Sequence, residues 1–231
     1  MQGLSSIGEM YGALERSFGR DPFVVILEYV GTFAGAISGI RLSVAKRFDW
    51  FGAYVIGFVT ALGGGTLRDA MLNLPPFWMR HPSYLITTFA ALVSVWAFGR
   101  RFISEKVTWF VFDTISIALF TVIGVEKTLV HGYPEWCAVV MGVVTAVFGG
   151  VLRDVLINEV PLIFRKEIYA TACLAGALLY VALSYMDVSP AVCGTVCMVV
   201  IFILRGLAIR YSWHVPVFRG RGGVLGRRDR R

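Results

Sequence analysis

From Phe23 to Leu204 the chain is a succession of seven apolar segments, each closed by charges, proline or glycine. They run over residues 23–42, 50–74, 84–98, 109–125, 136–157, 168–186 and 190–204, the third and seventh being short. A helix crosses a bilayer with about 20 apolar residues, or about 17 when flanks and tilt help. Backbone groups surrounded by lipid must bond within their own segment, which leaves helices as the fold. The expected class is an all-α polytopic membrane protein with seven transmembrane helices. Composition agrees: 16% of the residues are charged and mean hydropathy is +0.70, where a soluble domain carries about 25% charged residues.

Two segments carry what a lipid-facing helix avoids. The second holds Gly63, Gly64, Gly65, Thr66, Leu67, Arg68 and Asp69, and the fifth holds Gly149, Gly150, Val151, Leu152, Arg153 and Asp154. An offset of 85 residues brings these stretches into register, and it also aligns Asn73, Pro76, Arg80 and Tyr84 with Asn158, Pro161, Arg165 and Tyr169. Residues 57–84 give 13 identities in 28 positions without a gap, and Glu28 falls on Asp113. This is an internal duplication.

Each copy holds three spans, so the second must enter the membrane upside down, the inverted-repeat plan common among transport proteins. The expected division is an extracytoplasmic segment 1–22, repeats 23–106 and 107–188, a seventh span 189–210 for packing or oligomer contacts, and a basic tail 211–231.

Mid-span glycines permit either a helix break or close helix packing. The charges beside them favour a functional reading, because a charge near the bilayer centre costs about 2.5–3.5 kcal/mol. Neighbours on a helix point about 100° apart, so the expected pairs cross the repeats, Arg68 to Asp154 and Arg153 to Asp69. Such pairs either clamp the halves together or line a polar path. The candidate path comprises Gly63, Gly64, Gly65, Arg68, Asp69, Gly149, Gly150, Arg153 and Asp154, joined by Asn73 and Asn158. Glu28 and Asp113 are candidates for opposite vestibules or for headgroup level. Thr60 and Thr145 add polar lining or bond to their own helices.

Three scattered histidines offer no nucleophile–base constellation, and Cys137, Cys173, Cys193 and Cys197 lack metal-ligand spacing. No enzyme activity, metal or cofactor is expected.

The net charge is +7, and eight of the 22 basic residues lie from Arg205 onward. That placement points to anionic headgroups rather than nucleic acid. Arg16, Arg20, Arg80 and Lys127 fall on one side. Arg41, Lys46, Arg47, Arg100, Arg101, Lys106, Arg165, Lys166 and the tail fall on the other. Positive residues stay inside, so the amino terminus is expected outside and the carboxyl terminus in the cytoplasm of a cell inner (plasma) membrane.

The doubled glycine–arginine–aspartate pattern, its later Asn, Pro, Arg and Tyr, the seven spans and the basic tail resemble the bacterial branch of the trimeric intracellular cation (TRIC) channel family. That family overlaps a group of uncharacterised, glycine-transporter-like membrane proteins. The resemblance covers roughly residues 23–204. It implies a homotrimer with one potassium-permeable pore per subunit, framed by glycine-kinked second and fifth helices, with sodium as a second ion. The pore residues it implies fall on Arg68, Asp69, Arg153 and Asp154 with their glycines. Phe148 departs from the pattern, standing where the first copy has Gly63, and the additional charged motif of eukaryotic members is not evident. The residues themselves leave two chemistries open. A broken helix offers a positive dipole end that suits a carboxylate, whereas carbonyls with Asp69 or Asp154 suit a cation. Channel and small-amino-acid carrier, for a substrate such as glycine, both follow.

Overall fold

The computed structural model describes residues 21–103 and 106–213, excluding the side chains of 99–108. The expectations for residues 1–20, for the tail beyond 213 and for the Arg100, Arg101 and Lys106 side chains lie outside the described residues. The long helices are α1 (Pro22–Ala45), α2 (Trp50–Met71), α3 (Ser83–Ile103), α4 (Lys106–Val130), α5 (Glu135–Leu156), α6 (Ala170–Ser184) and α7 (Pro190–Arg210). A one-turn helix, Phe77–Arg80, precedes α3, and a 3-10 turn, Leu162–Phe164, precedes α6.

Among the described residues, five helices are long and apolar enough to cross a membrane: α1, α2, α4 over Trp109–Val130, α5 and α7. The apolar parts of α3 and α6, Ser83–Phe98 and Ala170–Ser184, are shorter. The fold is that of a helical membrane protein. One length corrects the sequence reading: α4 runs on past the apolar segment's end at Val125, with Glu126 and Lys127 buried and partnered. Helix α7 runs past the apolar segment's end at Leu204 with Arg205 buried.

Local chemistry sets the helix ends. Asp21 caps α1 by accepting from Phe23 N at 2.9 Å, and Pro22 supplies a first-turn residue that needs no donor. Asp49 caps α2 through Gly52 N at 2.7 Å. The duplication extends to the backbone at the exits. Arg47 (φ 63°) after α1 corresponds to Gly132 (φ 77°) after α4, and Asn73 (φ 57°) after α2 to Asn158 (φ 56°) after α5.

Helices α1 and α4 lie at the centre, with 67% and 72% of their apolar stretches buried against 33% for α7. They pack on each other, α1 also on α2 and α3, and α4 also on α5 and α7, while α2 packs on α5. The apolar core divides by half. Ile37, Ile40, Leu62, Phe77 and Tyr84 belong to one cluster. Ile117, Ile123, Leu162, Tyr169 and, from α7, Ile201 belong to the other.

Candidate functional site

The site lies where α2 meets α5. Both helices run unbroken through their glycines. Gly64 faces the Thr145 carbonyl oxygen, and Gly149 faces the Thr60 carbonyl oxygen, each so closely that a Cβ would overlap it. The contact is reciprocal, since Thr60 and Thr145 are themselves duplicates. Close packing is therefore what these two glycines do, and the helix break is corrected. The hydroxyls of Thr60 and Thr145 donate to the carbonyls of Ile56 and Met141, each at 2.6 Å. Gly63 faces Leu152, Gly65 the Phe77 ring, and Gly150 the Tyr169 hydroxyl.

Arg68 and Arg153 do not pair across the repeats as expected. Arg68 Nε donates to Asp69 Oδ1 at 2.8 Å, and Arg153 Nε to Asp154 Oδ1 at 2.8 Å. A guanidinium reaches farther than the step between successive side chains, so the angle between neighbours does not keep it from its own aspartate. The other oxygen of each aspartate accepts from a backbone nitrogen eight residues on, Phe77 at 2.9 Å and Leu162 at 3.1 Å. Asp69 and Asp154 thus cap the turns that Pro76 and Pro161 begin. This accounts for the fixed spacing between aspartate and proline in both copies.

Asn73 and Asn158 sit at exposed helix ends in the left-handed conformation, which asparagine tolerates better than most residues. Leu74 N donates to Asp69 O and Glu159 N to Asp154 O, each at 2.8 Å, closing a Schellman motif on both helices. The backbone accounts for both asparagines.

Around these shared parts the halves diverge. In the first, Lys127 Nζ approaches Asp69 Oδ1 at 3.0 Å, and Tyr84 donates to Glu28 Oε2 at 2.5 Å. In the second, Asp113 receives Arg153 Nη1 at 3.0 Å and Arg205 Nη1 at 2.7 Å, while Arg153 Nη1 also donates to Ser38 Oγ at 2.9 Å. Glu28 and Asp113 are both buried in this interior. Burying a lone ion costs several kcal/mol, and here Arg68, Lys127, Arg153 and Arg205 each have an aspartate, and Glu28 a phenol, against them.

Lys127, Arg205, Ser38, Tyr84 and Tyr169 were missed as site residues. The sequence reading places Lys127 outside the fourth apolar segment, although no turn residue precedes Gly132, and Arg205 just beyond the seventh apolar segment.

The two ends of the crossing differ. At the exits of α2 and α4 a cavity of about 530 Å³ is lined by Leu72, Asn73, Leu74, His131, Gly132 and Tyr133. At the positions equivalent to His131 and Leu74, Lys46 donates to Glu159, and Arg165 Nη2 lies 3.5 Å from the same carboxylate. Lys46, with Arg165 behind it, holds Glu159 below the usual carboxylate range.

A helical membrane bundle made from two copies of one unit, each with an arginine–aspartate pair buried at the helix crossing, defines a duplicated polytopic membrane protein. The family model described as "Glycine transporter" matches twice, at residues 25–100 and 110–185, with starts separated by the same offset as the motifs. The chain belongs to this family. It is 39% identical over 196 residues to the UPF0126 inner membrane protein YadS of Escherichia coli (strain K12), spanning 83% of this chain and 94% of that one. A UPF0126 membrane protein of Vibrio cholerae is 34% identical over 197 residues, spanning 84% and 82%. Among solved structures, a TRIC cation channel superposes with a TM-score of 0.78 at 35% identity, covering 86% of this chain and 98% of its own. The TRIC trimeric intracellular cation channel orthologue from Rhodobacter sphaeroides gives 0.78 at 33% identity, covering 82% and 98%. The resemblance read from the doubled motif therefore holds in both sequence and fold.

Proposed function

We propose that the protein is a monovalent cation channel that passes potassium, with one pore in each subunit of a homotrimer. The observation that carries this reading is the buried crossing of α2 and α5. There Asp69 is held by Arg68 and Lys127, and its backbone carbonyl accepts from Leu74 N, a residue that lines a cavity of about 530 Å³. Opposite charges in a membrane interior mark an ion route more readily than a clamp, because a clamp of buried ions adds little stability. The TRIC structures, whose whole chains this one matches, support the same reading. The path runs past Arg68, Asp69, Arg153 and Asp154, with Gly63, Gly64, Gly65, Gly149 and Gly150 setting how closely the helices approach.

In this reading α1–α3 and α4–α6 are two three-span repeats inserted with opposite orientation, and α7 is the seventh span. The reciprocal contacts of Gly64 and Gly149 are what a two-fold axis between the repeats would produce. The protein resides in the inner membrane, amino terminus outside, with its basic tail against anionic headgroups.

A carrier for a small amino acid is the second reading, favoured by the family's description and by the arginines gathered around Asp113. Purified protein in liposomes separates the two. The channel passes potassium down its gradient without saturation, and Arg68→Ala or Asp154→Ala alters that flux far more than Arg80→Ala. Potassium flux equal to empty vesicles, together with saturable glycine uptake, would establish the carrier instead.

A further inference from the structure

The seventh helix breaks the equivalence of the two halves on their outer faces. In the second half α7 packs on both α4 and α6. Its Cys193, Cys197 and Ile201 share a core with Val125, Ala177, Tyr180 and Val181. At the offset of 85 residues, the duplicates of those four in the first half are Ile40, Leu92, Val95 and Trp96. There α3 packs directly on α1, and the equivalent face opens as a groove of about 270 Å³. Trp96 is accordingly 65% exposed where Val181 is 8% exposed.

The groove is apolar along its length and basic at one end. Ile40, Val44, Leu92 and Val95 line it. Trp50 and Trp96 form its rim, their ring centroids 5.8 Å apart. Tryptophan favours the depth where acyl chains meet headgroups. Asp49, the polar residue among those lining the groove, is occupied in capping α2 through Gly52 N at 2.7 Å. In the turn between α1 and α2, Phe48 also lines the groove. Its neighbour Arg47 is exposed and makes no ion pair among the described residues, whereas Lys46 is engaged by Glu159. A free cation at that depth attracts anionic headgroups.

We propose that this groove binds an anionic phospholipid, with one acyl chain lying along Leu92 and Val95 between the two tryptophans and the phosphate meeting Arg47. A helix from a second copy is too thick to be seated there, since one turn, about 10 Å across and about 5.4 Å tall, encloses roughly 400 Å³. An acyl chain is far thinner and follows the groove. In the second half α7 supplies the same apolar cover from within the chain. The site rests on the groove and on Arg47, so it stands whether or not the chain conducts cations.

The test measures the unfolding temperature of the full chain in detergent, titrated with dioleoyl phosphatidylglycerol or dioleoyl phosphatidylcholine, which share their acyl chains and differ in headgroup charge. Phosphatidylglycerol should give a saturable rise of several degrees and phosphatidylcholine a smaller one, because a ligand bound to the folded state stabilises it. Arg47 holds a φ of 63°, which asparagine tolerates. Arg47→Asn should therefore fold, weaken the phosphatidylglycerol midpoint at least tenfold and erase the preference. Trp96→Ala should weaken the response to both lipids. Should Trp96→Ala fail to fold, phosphatidylglycerol with a photoreactive group in its acyl chain decides on the unaltered protein, with labelling expected to concentrate on the peptides holding Trp50 and Trp96. Equal responses to the two lipids, an undiminished response in Arg47→Asn, or labelling spread evenly over the helices would each overturn the proposal. A change of oligomeric state in Trp96→Ala with the lipid response intact would assign the groove to a second copy and overturn it as well.

Discussion

Lys127 Nζ lies 3.0 Å from Asp69 Oδ1 and joins the two halves of the duplication, whereas the residue equivalent to Lys127 in the first half is Leu42. Asp69 therefore compensates two cations, Arg68 and Lys127, and Asp154 only one of its own. Asp69→Asn strands both cations and should cost about 3–5 kcal/mol. Lys127→Met leaves Asp69 its arginine and the Phe77 amide, so the loss should be about 1–2 kcal/mol, within the usual range for a coupled pair. Chemical unfolding in detergent gives both values. An equal or reversed ranking would show that Lys127 does not depend on Asp69.

The reciprocal glycine contacts predict a sharp contrast. Gly64→Ala or Gly149→Ala drives a methyl group into a carbonyl on the facing helix, and overpacking of this kind costs about 1–3 kcal/mol or more. Gly206→Ala on α7 meets nothing within 4 Å and should instead gain up to about 1 kcal/mol from helix propensity. Thermal unfolding of the three variants tests the contrast. A harmless Gly64→Ala would mean that α2 and α5 separate readily.

Much of this was legible in the sequence, for physical reasons. Apolar segments in lipid have only the helix available, and the doubled motif with its fixed Asp-to-Pro spacing records a real hydrogen bond, Asp69 to Phe77 N and Asp154 to Leu162 N. What was not legible concerns reach and burial. Arg68 and Arg153 bend to their own neighbours because long side chains escape the angular logic of a helix. Lys127 and Arg205 looked like segment boundaries because a charge next to an apolar run has the same appearance whether it ends the helix or is buried within it. Only the partners, Asp69 and Asp113, tell the two cases apart.

The Lys46–Glu159 pair lies at the end of the crossing opposite the cavity, and it is exposed to solvent. Glu159 is held below the usual carboxylate range. Its contribution is thus fully present at neutral pH and is lost as pH falls through that lowered value. Under the channel reading, acidifying the side that bears Glu159 should raise potassium flux, and high salt should act in the same direction by screening. Glu159→Gln should show the raised flux at neutral pH, with little change in unfolding temperature because exposed pairs stabilise weakly. Flux from liposomes with independent control of pH on each side measures this. Indifference to acid on the Glu159 side would mean that the Lys46–Glu159 pair does not restrict the ion path.

Asn73 and Asn158 provide the cleanest separation of backbone chemistry from pore chemistry. Both occupy left-handed φ values at helix ends, where glycine fits at least as well as asparagine and alanine does not. If the backbone is their whole role, Asn73→Gly and Asn158→Gly should leave stability and flux unchanged, while the alanine variants lose about 1 kcal/mol each. A pore-lining amide would behave differently: glycine and alanine would alter flux alike, because both remove the same polar group. Paired measurements of unfolding free energy and liposome flux on the four variants distinguish the cases. The Schellman geometry, with Leu74 N and Glu159 N reaching back to Asp69 O and Asp154 O at 2.8 Å, predicts the first outcome at both sites.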